Sequence, residues 1–307
     1  MYSSFSLIDS TNYEESSIIK TPLESVSNSL VSLCLYRPNI HKADDLINSL
    51  AQLTNLEQLS LCGVGCLDDA SLIKILELIG SQLTLLNLDG YMIFDKRITD
   101  DSIKYISKYC KNLRSLSFNL FSTTTKFDSL KTLFEQTSTA FKFQELCFSA
   151  CRNISYNLLT QIALNCINLI KIDLSGLAQL IDDDLLILLS NTATKLKFLD
   201  IKGCTRITDE SIINLSIKCP LEVLVLAGLS LLTDKCIFTI ANHLQSTLSE
   251  IYLSGCSKIS TVALNYLTDC CIKRLYCEHR VPNKDPNLLM ARNLDTGRFE
   301  RVDLFQF

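Results

Sequence analysis

Long apolar runs are missing from this chain. The longest stretches, such as Leu-Leu-Ile-Leu-Leu at residues 185–189, fall far short of the roughly 18 residues that a membrane-crossing helix needs. No membrane span is expected. A basic stripe is missing too: formal net charge is −4 and the sequence pI is about 5.5, which argues against nucleic acid as the main partner. The opening residues hold no basic region followed by an apolar core, so no secretory leader is expected. Together these features lead us to expect a reduced, cytoplasmic setting, with the nucleus as a second compartment.

Chemistry-bearing clusters are also scarce. There are three histidines, His41, His243 and His279. His243 falls near a predicted helix end, where it complements the helix dipole. Cys62 and Cys66 flank a glycine-rich turn, but no companion pair completes a zinc site. Gly63-x-Gly65 lacks the strand, helix and lysine of a phosphate-binding loop. The run Asp182-Asp183-Asp184 falls where a helix is expected to start and reads as its solvated first turn. The sequons at Asn153 and Asn214 are chance matches, Asn214 inside a predicted helix. No catalytic residue, cofactor or metal is expected.

What is present is a recurring segment. Apolar residues in the spacing L-x-x-L-x-L begin at Leu30, Leu56, Leu83, Leu113, Phe143, Leu169, Leu196, Leu221, Leu248 and Ile272. Ten copies at this period signal a solenoid. The last two apolar positions of each copy are two apart, as on one face of a strand. A helical spacing of three then four follows, as in Ile103, Ile106, Cys110; Leu159, Ile162, Cys166; and Ile212, Leu215, Cys219. Between the two stand Thr99-Asp100, Thr208-Asp209 and Thr233-Asp234, natural helix N-caps. Each unit is one strand, a turn, a helix and a return. Stacked units bury a core between a parallel strand row and a helix row. Two copies carry insertions, Tyr91–Asp100 and Ser122–Ser129, expected to bulge from the edge.

The fourteen cysteines recur at inward-facing repeat positions, where free cysteine acts as a small hydrophobe; free thiols are expected. Cys151, Cys204 and Cys256 hold the ninth position of their copies. Cys110, Cys166, Cys219 and Cys270 or Cys271 end the helices. With the Ile-Thr-Asp that follows the strand, this pattern resembles the cysteine-containing leucine-rich repeat over residues 30–280. Pro38, Val64, Tyr91, Phe121, Leu177 and Leu229 depart from it at the ninth position. The resemblance implies an α/β solenoid (horseshoe) of about ten repeats, with parallel strands on the concave face and helices on the convex face. Residues 1–29 are read as a polar arm or N-terminal cap. Residues 281–307 are read as a tail that caps the last repeat, folds back into the groove or serves as a free docking motif.

In that architecture the third, fifth and seventh residues of each copy face solvent. The middle copies are polar there: Ser115, Ser117, Asn119; Glu145, Cys147, Ser149; Lys171, Asp173, Ser175. Later copies turn apolar. Phe198, Asp200, Lys202, Val223, Val225, Glu250, Tyr252, Arg274 and Tyr276 are the expected partner-binding residues. Contiguous exposed apolar surface marks interaction sites, and tyrosine and arginine are favoured hot spots.

The repeat pattern is similar to the recognition arm of F-box leucine-rich repeat proteins, the substrate receptors of SCF ubiquitin ligases. Residues 1–29 carry no F-box pattern, so the likeness runs to the antagonist-of-mitotic-exit type, which binds regulatory proteins through repeats alone. The resemblance implies a non-enzymatic, monomeric protein-interaction scaffold. It would serve as a substrate-recognition or regulatory subunit with protein partners that include ubiquitin-ligase components. The alternatives are a structural part of a cytoskeletal or other large assembly and, further off, a GTPase-activating leucine-rich repeat protein, whose repeats are longer and lack the cysteines.

Overall fold

A computed structural model of the chain describes residues 4–8, 29–38, 40–90, 98–121, 127–270, 274–277, 290–293 and 298–301. The chain forms two compact units, Met1–Cys166 and Ile167–Phe307. Each is a stack of strand–turn–helix repeats, so the repeat built from sequence is the repeat observed.

In the first unit six strands run parallel in chain order: β1 (Ser4–Ile8), β2 (Ser32–Tyr36), β3 (Gln58–Cys62), β4 (Leu85–Asn87), β5 (Ser115–Ser117) and β6 (Glu145–Cys147). The helices are α1 (Ala43–Leu50), α2 (Asp69–Ile79), α3 (Asp100–Tyr109), the short α4 (Lys131–Glu135) and α5 (Thr137–Ala140), and α6 (Tyr156–Asn165). In the second unit β7 (Lys171–Asp173), β8 (Phe198–Asp200), β9 (Val223–Val225), β10 (Glu250–Tyr252) and β11 (Arg274–Cys277) are parallel. They alternate with α7 (Asp183–Thr192), α8 (Asp209–Lys218), α9 (Asp234–His243) and α10 (Thr261–Cys270). β12 (Met290–Asn293) and β13 (Arg298–Arg301) then add antiparallel strands beyond β11.

The core follows from the repeat. Leu196, Leu199 and Ile201 are fully buried, as are Leu221, Leu224 and Leu226. Each such side chain contributes about 1.5–3 kcal/mol. In the first unit the layer between strands and helices is partly aromatic. Phe118 lies edge-on to Phe121 at 5.1 Å and to Phe127 at 5.0 Å, and stacks on Phe148. Phe127 belongs to the insertion expected to bulge, yet it is fully buried. Its backbone N–H donates to Asp100 Oδ1. Residues 91–97 and 122–126 of the two insertions lie outside the described residues. The Leu113 copy also lacks a single helix, because Gln136 is extended and separates α4 from α5.

Three ladders join successive copies. The first is backbone. Within each unit an eighth-position N–H donates to the seventh carbonyl of the next copy, as in Gly203 to Ala227 (2.8 Å) and Gly228 to Ser254 (2.7 Å). To aim that N–H sideways the residue takes a left-handed conformation. Gly90, Gly176, Gly203, Gly228 and Gly255 do so at φ between 74° and 82°. Arg37, Leu120 and Ala150 hold the same place at φ 45°, 54° and 58° without being glycine.

The second ladder is the aspartate that follows each helix N-cap, whether the cap is threonine (Thr208, Thr233) or aspartate (Asp68, Asp182). Thr208 and Thr233 cap their helices as expected. The neighbouring aspartate reaches the next copy instead. Asp183 accepts from the Thr208 N–H, the Thr208 hydroxyl (2.6 Å) and the Ser211 hydroxyl. Asp209 accepts twice from Thr233, and Asp234 twice from Ser260. Asp69 does the same for Thr99. The third ladder is cysteine. Ninth-position thiols donate to a carbonyl one copy back: Cys151 to Phe118 (2.8 Å), Cys204 to Leu174 (3.4 Å) and Cys256 to Leu226 (3.2 Å). These cysteines are buried donors as well as small hydrophobes.

Candidate interaction surface

Among the described residues no group of histidine, cysteine and carboxylate could hold a metal. No helix there is long and apolar enough to cross a membrane. His41 and His243 are exposed, and His243 Nδ1 lies 3.0 Å from the Thr239 carbonyl; His279 lies outside the described residues. Every described cysteine is free; Cys271 lies outside them. Burial raises the thiol pKa to about 12 at Cys110 and Cys204 and to about 11 at Cys219 and Cys256. A thiol so suppressed is a poor nucleophile. The surface to examine is therefore the sheet face turned away from the helices.

In the first unit this face is occupied by its own side chains. Asp89 accepts from the Ser117 hydroxyl at 2.6 Å and from the Asn119 N–H at 2.7 Å. Asn119 Oδ1 accepts from the Ser149 N–H, and Asn87 Oδ1 accepts from the Asp89 N–H and the Cys62 thiol. Burial raises the Asp89 pKa against these hydrogen bonds. Ser117 and Cys147, expected in solvent, are buried at 8% and 9% exposure. At adjacent register positions about 4.8 Å apart, such small side chains are shielded by their neighbours.

In the second unit the face consists of two rows set by strand register. One row is Lys171, Phe198, Val223, Glu250 and Arg274; the other is Asp173, Asp200, Val225, Tyr252 and Tyr276. The centre is apolar: Phe198, Val223, Val225 and Tyr252 are half-buried. One of the residues expected to bind a partner needs correction. Tyr276 is buried at 7% exposure, because its ring stacks on Tyr252 with centroids 4.1 Å apart and planes 6° apart. Its strand also pairs with β12, placing Tyr276 opposite Ala291. Tyr276 stands beside Tyr252 in the same row but is covered, so it is not an exposed contact residue.

Charged groups flank the patch on both sides. Toward β11, Arg274 Nη1 lies 2.9 Å from Glu250 Oε1, and the Tyr252 hydroxyl donates to Glu250 Oε2 at 3.1 Å. Burial and the neighbouring Tyr276 and Glu250 raise the Tyr252 pKa, so the phenol is neutral throughout the physiological range. Toward β7, the Lys171 ammonium lies over the Phe198 ring, 5.0 Å from its centroid, a contact worth about 0.5–1 kcal/mol when exposed. Asp173 and Asp200 are register partners. Each spends Oδ1 on a backbone N–H two residues on, Ser175 and Lys202 respectively, at 2.9 Å. Burial, and then the charge of Asp173, push the Asp200 carboxyl up to about 6 from 3.8. Lys202 is exposed.

Of the nine residues expected to bind a partner, eight stand in these two rows and Lys202 follows β8, exposed; Tyr276 is the buried one among them. The polar bracing around them was not visible in sequence. Residue type marks neither the Lys171–Phe198 contact nor the Glu250–Tyr252–Arg274 group. Both follow from register, which the repeat spacing already determines.

No protein-family model matches the sequence, and no curated protein sequence matches it. Solved structures do. A chain of the Rad7–Elc1 complex from yeast superposes with a TM-score of 0.57 at 17% identity, over 79% of this chain and 67% of that one. The leucine-rich repeat-containing protein LegL7 from Legionella pneumophila does so with a TM-score of 0.50, also at 17% identity, over 92% and 94%. These likenesses carry the fold: the chain is an α/β leucine-rich repeat solenoid.

Proposed function

We propose that this chain is a non-enzymatic protein-interaction module that binds its partner on the open strand face of the second unit. One contrast carries the reading. In the first unit the fifth and seventh positions of successive copies are tied into a hydrogen-bonded polar ladder. In the second the third and fifth positions present Phe198, Val223, Val225 and Tyr252 side by side. A half-exposed apolar centre with a polar rim is the anatomy of a protein interface. The scarcity of histidine and the suppressed thiols fit binding better than catalysis.

The finer reading is a substrate-recognition or regulatory subunit linked to ubiquitin-ligase pathways, acting in the cytoplasm or nucleus. It rests on the repeat pattern, which resembles that of F-box leucine-rich repeat proteins. A structural neighbour that was itself solved as a complex, Rad7 with Elc1, is in keeping with a partner-bound role. The test is affinity purification from the native cell followed by mass spectrometry, with wild type beside the Phe198→Asp/Tyr252→Ala double variant. Ubiquitin-ligase subunits or one discrete regulator, lost in the variant, are the expected result. Identical partners in both samples would remove the face from consideration.

A further inference from the structure

The apolar centre of the second-unit face is asymmetric in charge. On its β10–β11 side the carboxylate is neutralised: Glu250 is held by Arg274 and by the Tyr252 hydroxyl. On its β7–β8 side two carboxylates stand in register, Asp173 and Asp200, with no ion pair to either among the described residues. Both are held rigidly through Oδ1. The local cations offset them only in part. Lys171 is drawn over the Phe198 ring, and Lys202 is exposed, on a long flexible stem. Asp200 shows the consequence, since burial and Asp173 both oppose its charge.

Resting on the reading of this face as the binding surface, we infer that its occupant is an extended peptide segment carrying arginine and an apolar residue two positions apart. The guanidinium bridges Asp173 and Asp200, and the apolar side chain seats on Phe198, Val223 and Val225. The spacing follows from geometry. The midpoint of β7 and β8 lies one and a half strand spacings from β9, about 7 Å at about 4.8 Å per strand. Alternate side chains on one face of an extended chain are also about 6.6–6.8 Å apart. Arginine suits the site better than lysine, because its planar fork can donate to two carboxylates at once.

The experiment is selection of a phage-displayed random peptide library on the full chain. Selected peptides are then synthesised and their affinities measured by fluorescence anisotropy against wild type, Asp173→Asn/Asp200→Asn and Val225→Asp. Asparagine keeps the Oδ1 acceptor for both backbone N–H groups, and wild-type far-UV circular dichroism spectra with cooperative melts establish that the variants fold. Enrichment of arginine-x-apolar sequences is expected, in either chain direction. Their affinity should fall about tenfold or more on the Asn/Asn variant, as expected for loss of charge-assisted hydrogen bonds. Replacing the peptide arginine by citrulline should weaken binding to wild type by a similar factor and leave binding to Asn/Asn unchanged. Peptides that lack arginine but lose binding to Val225→Asp would overturn this inference and leave the face as the binding surface. Peptides indifferent to Val225→Asp would overturn both, and failure to enrich any sequence would count against both.

Discussion

Replacing Asp200 by asparagine should stabilise the second unit, and by an amount that depends on pH in a defined direction. The wild-type carboxyl titrates near 6 in the folded chain, against 3.8 for an unperturbed aspartate. The folded state therefore binds this proton more tightly than the unfolded state does. Between pH 4 and 6 the folded chain holds more protons, so the Asp200 contribution to stability falls as pH rises, then levels off. Two pKa units correspond to about 3 kcal/mol. That is an upper value, because Asp200 is only half-buried and solvent screens its charge. Asparagine keeps the acceptor for the Lys202 N–H and carries no charge. A gain of about 1–3 kcal/mol is expected at pH 7.5, shrinking toward zero below pH 4. The assay is urea unfolding of both proteins at pH 4, 5, 6 and 7.5. It is followed by far-UV circular dichroism, since the chain has no tryptophan. A gain that does not change with pH, or a loss at pH 7.5, would refute the burial argument.

Other outcomes follow from the ladders. In the Asp182-Asp183-Asp184 run the three alanine variants should differ sharply by urea unfolding. Asp182 caps α7 through the Leu185 N–H and should cost about 1 kcal/mol. Asp183 holds three donors of the next copy and should cost about 2–4 kcal/mol. Exposed Asp184 should cost under about 0.5 kcal/mol; equal costs would dismiss the inter-repeat role. At the left-handed position, Leu120→Gly should stabilise by about 1 kcal/mol, because Leu120 is 47% exposed and strained at φ 54°. The reverse change Gly203→Ala should destabilise by about 1–2 kcal/mol although its Cβ would meet nothing within 4 Å; matching signs would contradict this. Maleimide at pH 8 should label native Cys34, Cys66 and Cys270 well before buried Cys110, Cys166 and Cys204, while denaturant should expose fourteen reactive thiols. Rapid native labelling of Cys204 would argue against its burial.

The repeat was legible in the sequence because each copy is a local pattern. Leucine spacing places Leu199 and Leu224 inward, and Thr208 and Thr233 announce helix starts. The outward placement of the candidate face was legible to the same extent, since strand alternation turns Phe198, Val223 and Val225 away from the core. What was not legible depends on neighbours. Tyr276 alternates outward in its strand but is buried by the Tyr252 ring and the strand beyond it. The capping pairs hid a division of labour, in which threonine serves its own helix and aspartate serves the next copy. Phe127 read as part of a polar insertion, yet three other phenylalanines surround it. Side-chain type gives periodicity, whereas stacking between copies decides which of the outward residues remain open.

The most direct test of the account is a photocrosslinking measurement on the chain bound to its captured partner. A benzophenone side chain would be placed at Val225 on the strand face and, separately, at Ile217, which is 55% exposed on α8. The account predicts crosslinks to the partner from position 225 and none from position 217. Crosslinks from 217 alone would place the interface on the helices and contradict it.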